Sequence, residues 1–230
     1  MSATPIGLVI FDCDGVLVDS EPLAMRLLLQ TLAEAGVELG AEEAYEAFLG
    51  KSLATVCGIL RRDYAVDVDD AALERMRARL NAAIREELRP IPGIAETLGK
   101  LSHRVCVASS SQVERIRLSL AVTGLDRFFG DDVFSATMVT RGKPAPDLFL
   151  FAAQRMRVAP EHCMVIEDSP AGVTAAREAG MQVLGFTGGS HAQAATHREK
   201  LRALRPTGVF DDMAALPGLL LGLEKDRKVS

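Results

Sequence analysis

Ile6 to Phe11 is a continuous apolar run that stops at two carboxylates, Asp12 and Asp14. A run this short has the length of a strand, and its lack of polar alternation fits a strand buried on both faces, as in a parallel sheet covered by helices. Similar short runs recur at 104–108, 132–135, 163–166, 182–186 and 208–210, and most are followed by a helical pattern. Strand and helix in alternation are the signature of βαβ units, so the pattern predicts an α/β fold on a doubly wound, mostly parallel sheet.

Between the first and second runs the pattern changes. From about Ser20 to Leu88 apolar residues recur at helical spacing, with no convincing strand. Leu27, Leu28, Thr31, Leu32 and Ala35 mark one stripe, and Leu73, Met76, Leu80 and Ile84 mark another. Ser20 suits the N-cap of the first helix and Gly36 its end. The segment closes at Arg89-Pro90-Ile91-Pro92-Gly93, whose prolines block continuation of a helix. The expected organisation is an α/β core of residues 1–16 and 89–230 carrying an inserted α-helical cap at 17–88.

Composition excludes several function classes. The 230 residues can bury a real core, and 48% hydrophobic with 25% charged residues are ordinary globular values. Lys plus Arg number 26 against 31 Asp plus Glu, giving a net charge of −5, so an anionic ligand must be met by a local site and not by a basic surface. With no Trp and two Tyr the chain also lacks the aromatic platform common in single-strand nucleic-acid binding, and no nucleic-acid partner is expected. Cys13, Cys57, Cys106 and Cys163 show no metal-binding spacing and read as reduced core residues. The apolar run before Asp12 has no basic region ahead of it, unlike a signal peptide, and the apolar stretch Met213 to Leu223 is about half the roughly 20 residues a membrane span needs. The expectation is a cytoplasmic protein with no membrane partner, a monomer in the simplest reading.

In doubly wound sheets ligands bind at the carboxyl ends of the strands. The first strand ends in Asp12-Cys13-Asp14-Gly15, two carboxylates before a glycine that permits a sharp turn. The second ends in Ser109-Ser110-Ser111, hydroxyls opening a helix whose terminal amides suit an anion. After the third comes Gly142-Lys143-Pro144, a lysine in a stiff turn, and the fourth ends in Glu167-Asp168-Ser169-Pro170. Singly, Asp12 and Asp14 are also what a turn requires, Ser109 what a helix cap requires, and Lys143 what a solvated surface carries. Together they require a cation, because carboxylates converging on one crevice repel by roughly 4 kcal/mol per close pair at an effective dielectric near 20. Oxygen ligands and an incomplete protein shell favour Mg²⁺. Lys143, the cation and the hydroxyl and amides at Ser109 form a cradle suited to a transferring phosphoryl group. Asp12 is then placed for in-line attack and Asp14 for proton transfer.

These segments, FDCDGVLVDS, VASSS, GKPAPD and VIEDSPAG in that order, resemble the motifs of the haloacid dehalogenase superfamily, in its β-phosphoglucomutase-like and 6-phosphogluconate phosphatase-like branch, over nearly the whole chain. The resemblance implies that Asp12 is the phosphorylated nucleophile, Asp14 the acid/base, and Ser109 and Lys143 the phosphate holders. It implies Mg²⁺ held by Asp12, the main-chain carbonyl of Asp14, Asp168 and Glu167, with the helical cap closing over a small phosphorylated metabolite. An aspartate at position 14 argues for phosphoester chemistry, since the dehalogenase and phosphonatase branches lack it. The substrate class implied is a sugar, sugar-acid or polyol phosphate.

Two departures bear on the reaction. The mutase pattern places a histidine where this chain has Ala24, which favours hydrolysis over the phosphosugar mutase alternative. In the cap loop Phe48-Leu49-Gly50-Lys51-Ser52, mutases carry an arginine after the turn. Gly50 and Lys51 there, with Ser110 in the core, are the candidate substrate contacts, although Lys51 is equally readable as a solvated lysine. A catalytically inactive phosphate-binding module would be expected to have lost the nucleophile or a metal ligand, and none is missing. His162 reads as a strand-edge residue, Cys13 as turned away from the aspartates, and Arg61 and Arg62 as exposed; Gly188-Gly189-Ser190-His191, after the fifth strand, either lines the crevice or, as the favoured reading, is a flexible turn with Ser190 capping the next helix.

Overall fold

The computed structural model describes residues 5–34, 36–48, 53–66, 68–193 and 195–229. Six strands form one parallel sheet: β1 (Leu8–Phe11), β2 (Arg104–Ser109), β3 (Val133–Ser135), β4 (Cys163–Glu167), β5 (Gln182–Phe186) and β6 (Gly208–Phe210), in the order β3-β2-β1-β4-β5-β6. The chain winds outward from β1 through β2 to β3, then returns to place β4 on the other side of β1. The strand order therefore reverses at β1 and β4, where a doubly wound sheet opens its crevice. Register sets the level of the strand ends: Phe11 lies opposite both Val107 and Ile166. Asp12, Ala108 and Glu167 thus follow at one height.

The apolar runs are strands for the reason anticipated. Leu8, Val9, Ile10 and Phe11 have no exposed surface, so both faces of β1 are covered. On one face Leu8 and Ile10 share a core with Cys106, Ala108, Cys163 and Val165 and with side chains of α8 (Asp147–Met156) and α9 (Pro170–Glu178). On the other, Phe11 meets Phe129 edge to face at 6.2 Å between centroids. Cys13, Cys106 and Cys163 are buried free thiols, and burial pushes the Cys163 thiol up to about 12, which makes it unreactive at neutral pH.

The chain divides into two compact units, Met1–Asp19 with Arg89–Ser230, and Ser20–Leu88. Residues 17–19 pair with 89–91: Ile91 N donates to Leu17 O at 2.9 Å, Asp19 N to Arg89 O at 3.0 Å, and Val18 bridges Pro90. The chain therefore leaves the α/β unit after Asp19. The inserted unit is helical, with α1 (Glu21–Glu34), α2 (Ala41–Phe48), α3 (Leu53–Asp63) and α4 (Asp70–Glu87). Gly36, at φ +79°, ends α1, and Val37 N reaches back to Leu32 O at 2.8 Å across that left-handed residue. Asp69 caps α4 by accepting from Ala72 N at 2.6 Å. Met25, Leu28, Leu32, Ala44, Phe48, Val56 and Leu60 form a core of the unit's own. Among the described residues no helix is long and apolar enough to cross a membrane.

Candidate active site

Asp12 continues the β1 ladder by one step, its N–H donating to Ile166 O at 3.0 Å. The chain then turns at once, with Gly15 at φ +79° and its N–H on Val18 O at 2.8 Å. No other residue fits at position 15: a Cβ there would lie 2.0 Å from Asp168 Oδ2.

Lys143 arrives from the loop before α8 and is buried. Its ammonium donates to Asp12 Oδ1 at 2.7 Å, Glu167 Oε1 at 2.7 Å and Ala108 O at 3.0 Å, using all three protons on protein oxygens. This lysine is a tether between β1, β2 and β4 and lacks the solvated character its type suggests. Glu167 is held equally firmly, because its Oε2 accepts from Ser169 N at 2.7 Å and Ser169 Oγ at 2.9 Å. The adjoining helix makes room for it: a Cβ on Gly172 would lie 1.8 Å from Glu167 Oε1. Ser169 caps that helix, accepting from Gly172 N at 3.0 Å.

Asp12, Glu167 and Asp168 each bring a carboxylate oxygen within 4.8 Å of the others, all buried. One ammonium among three carboxylates leaves two negative charges uncompensated, which is the charge of a divalent cation. The titration behaviour follows from burial first and from the neighbouring charges second. Burial raises the Asp12 carboxyl well above the usual range, Lys143 opposes it, and Glu167, Asp168 and Asp14 reinforce it. Burial and then Glu167 raise Asp168 in the same way. Burial works to lower the Lys143 ammonium, but the carboxylates of Asp12 and Glu167 outweigh it and raise it. A hard-oxygen cluster with this deficit fits a divalent cation such as Mg²⁺.

Asp14 sits apart from the carboxylate cluster. Its Oδ2 accepts from Ser111 Oγ at 2.6 Å and its Oδ1 from Arg115 Nη2 at 2.5 Å. Ser109 is buried, and its Oγ accepts from Ser111 N at 3.1 Å, shaping the turn that presents Ser111. Ser110 is half-buried at the end of β2. Gly50 and Lys51 lie outside the described residues. His162 reaches Pro5 O at 3.1 Å, away from the cluster, and Arg61 and Arg62 are exposed on α3.

Three sets of contacts go beyond what the sequence assigned. Ser111, two residues before α6 (Val113–Val122), and Arg115, in its first turn, both reach Asp14, and no local spacing in the sequence signals the pair. The third corrects an expectation. Residues 188–191 are not a free turn: Ser190 opens a 3-10 turn, Ser190–Gln193, and its Oγ donates to Asp19 Oδ1 at 2.8 Å instead of capping a helix. His191 is buried with Nε2 2.8 Å from Asp168 Oδ2.

A hydrolase family described as haloacid dehalogenase-like matches residues 6–180. The chain belongs to the haloacid dehalogenase-like hydrolases. It is 32% identical over 190 residues to a 6-phosphogluconate phosphatase of Escherichia coli (strain K12), covering 82% of this chain and 86% of that one. A haloacid dehalogenase-like protein from Agrobacterium tumefaciens superposes with a TM-score of 0.83 at 33% identity, covering 95% of this chain and 99% of that one. A hydrolase of the same family from Deinococcus radiodurans, crystallised with bound phosphate and sodium, gives a TM-score of 0.76 at 34% identity, covering 96% of this chain and 97% of that one. With the buried carboxylate cluster, family membership makes this α/β core with its helical cap an enzyme of phosphatase type.

Proposed function

We propose that the protein is a Mg²⁺-dependent phosphatase acting on a small phosphomonoester, a sugar, sugar-acid or polyol phosphate, through a phospho-aspartyl intermediate on Asp12. The observation that carries this reading is the Lys143 ammonium bound to Asp12 within a cluster short of two positive charges. The substrate class draws on relatives such as the 6-phosphogluconate phosphatase, and that the Deinococcus radiodurans relative was crystallised with bound phosphate is consistent with a phosphoryl substrate.

The residues divide the work as follows. Asp12, the carbonyl of Asp14, Asp168 and Glu167 would hold Mg²⁺, which supplies the missing positive charge and draws electron density from the phosphoryl oxygens. Lys143 orients the Asp12 carboxylate and favours its ionised, nucleophilic form. One Asp12 oxygen attacks phosphorus as the ester P–O bond breaks, and Asp14 gives a proton to the departing alkoxide. Asp14, now a carboxylate, takes a proton from water, whose oxygen attacks phosphorus and releases Asp12 with inorganic phosphate. Ser109, through the turn it holds at Ser111, and Ser110 present hydroxyl and amide donors to the phosphoryl oxygens.

The test is acid quench during turnover followed by mass spectrometry of the peptide containing Asp12. A phosphate mass on Asp12 is the expected result; direct release with no labelled aspartate overturns the intermediate. The phosphosugar mutase remains the alternative, disfavoured by Ala24. Formation of glucose 6-phosphate from β-glucose 1-phosphate with a trace of bisphosphate would establish it.

A further inference from the structure

We propose that His191 is a positioning residue for Asp168, steadying the carboxylate that holds the divalent cation; the inference rests on the metal reading above. Its side chain has no exposed surface, and Nε2 lies 2.8 Å from Asp168 Oδ2. The ring occupies a slot whose walls must be glycine. A Cβ on Gly15 would come within 2.7 Å of His191 Cε1, and one on Gly189 within 2.8 Å of Cε1 and 2.9 Å of Nδ1. Those glycines belong to distant segments, the turn after β1 and the loop after β5, so both loops shape the slot. Ser190 ties them together through its N–H and Oγ on Asp19 Oδ1, at 3.3 and 2.8 Å.

A second histidine holds the other end of the same residue. His197, in α10 (Ala195–Ala203), places Nε2 2.7 Å from the main-chain carbonyl of Asp168. A carbonyl only accepts, so His197 carries its proton on Nε2 and donates. The two imidazoles meet edge to face at 5.5 Å between centroids. Asp168 thus meets one histidine at its carboxylate and a second at its main-chain carbonyl, both from the segment that follows β5.

A carboxylate that gives one oxygen to a cation loses affinity if it is free to rotate, and outer partners that fix such ligands are typically worth 10–100-fold in metal affinity. His191→Ala is therefore expected to weaken Mn²⁺ binding by about 10–100-fold, read from the electron paramagnetic resonance of free Mn²⁺ in titrations of the full chain. His191→Gln, whose amide nitrogen replaces Nε2, should recover most of it. The rise in melting temperature on adding Mn²⁺ should shrink in the alanine variant and return in the glutamine one, because a ligand stabilises only as far as it binds. A merely structural histidine would lower the metal-free melting point and leave Mn²⁺ affinity unmoved. If His191→Ala does not fold, Gly189→Ala, which displaces the ring, takes its place with the same expected loss. Wild-type binding with variant affinity within about twofold overturns this inference alone. Absence of Mn²⁺ binding by the wild type overturns the metal reading and this inference with it.

Discussion

The two units place their charges in opposite ways. In the helical unit the ion pairs Arg26–Glu87 and Arg79–Glu34, at 2.7 and 2.6 Å, lie on the surface, and among the described residues the core is built of apolar side chains, with Ser20 the buried polar residue at its edge. In the α/β unit Asp12, Glu167, Asp168 and Lys143 are buried around one point, with more negative charge than positive. A surface pair is nearly as well off in water, so it contributes little. A buried, unbalanced cluster costs stability and persists only where it does chemistry. The helical unit is therefore built as a body whose polar surface is free to vary, and the α/β unit as a site whose polar interior is not.

The sharpest way to break that contrast is at the nucleophile. Asp12→Asn changes one atom yet should reduce turnover by roughly a thousandfold or more while the fold survives, measured by phosphate release and circular dichroism. Lys143→Ala should lower kcat/KM by about 100- to 1,000-fold, the scale of losing an electrostatic group aimed at developing charge. It should also make the melting temperature depend more steeply on Mg²⁺, since three carboxylates would then lack any cation of the protein's own.

In the helical unit only apolar burial should matter. Leu32→Ala, at a position with 1% exposure, should cost about 2–5 kcal/mol in urea unfolding of that unit. The burial of carboxylates in the α/β unit, reinforced by their mutual repulsion, has a pH signature. Asp12 and Asp168 are raised in the folded state, so their contribution favours folding below the unfolded carboxylate range and is lost as pH rises through the raised values. Metal-free protein should melt lower at pH 7 than at mildly acidic pH, and Mg²⁺ should remove that difference by stabilising the ionised cluster at pH 7; a Mg²⁺ effect independent of pH would count against the cluster as its site. The smallest effect belongs to the surface: Arg79→Ala should leave melting temperature and turnover within error, and a clear loss would erase the contrast between the units.

Much of this was legible in the sequence because period and position are local properties. The run Ile6 to Phe11 has the length and pattern of a strand buried on both faces, and its end marks where Asp12 stands. The same reasoning located Lys143, Glu167 and Asp168. What escaped depends on register between distant segments: Ser111 and Arg115 meet Asp14 only because β1 and β2 are neighbours, and the residues lie 97 and 101 apart in the chain. His191 escaped because Gly-Gly-Ser is also the composition of a free loop, and the glycines turn out to admit a ring. The contacts of Gly50 and Lys51 belong to a stretch outside the described residues.

The measurement that tests the central claim most directly is phosphate release from a panel of sugar, sugar-acid and polyol phosphates, run with Mg²⁺, with EDTA, and with Asp12→Asn. The account predicts release with at least one member of the panel that stops on chelation and stops again in the variant. Release that persists in Asp12→Asn, or silence across the panel in the presence of Mg²⁺, would contradict it.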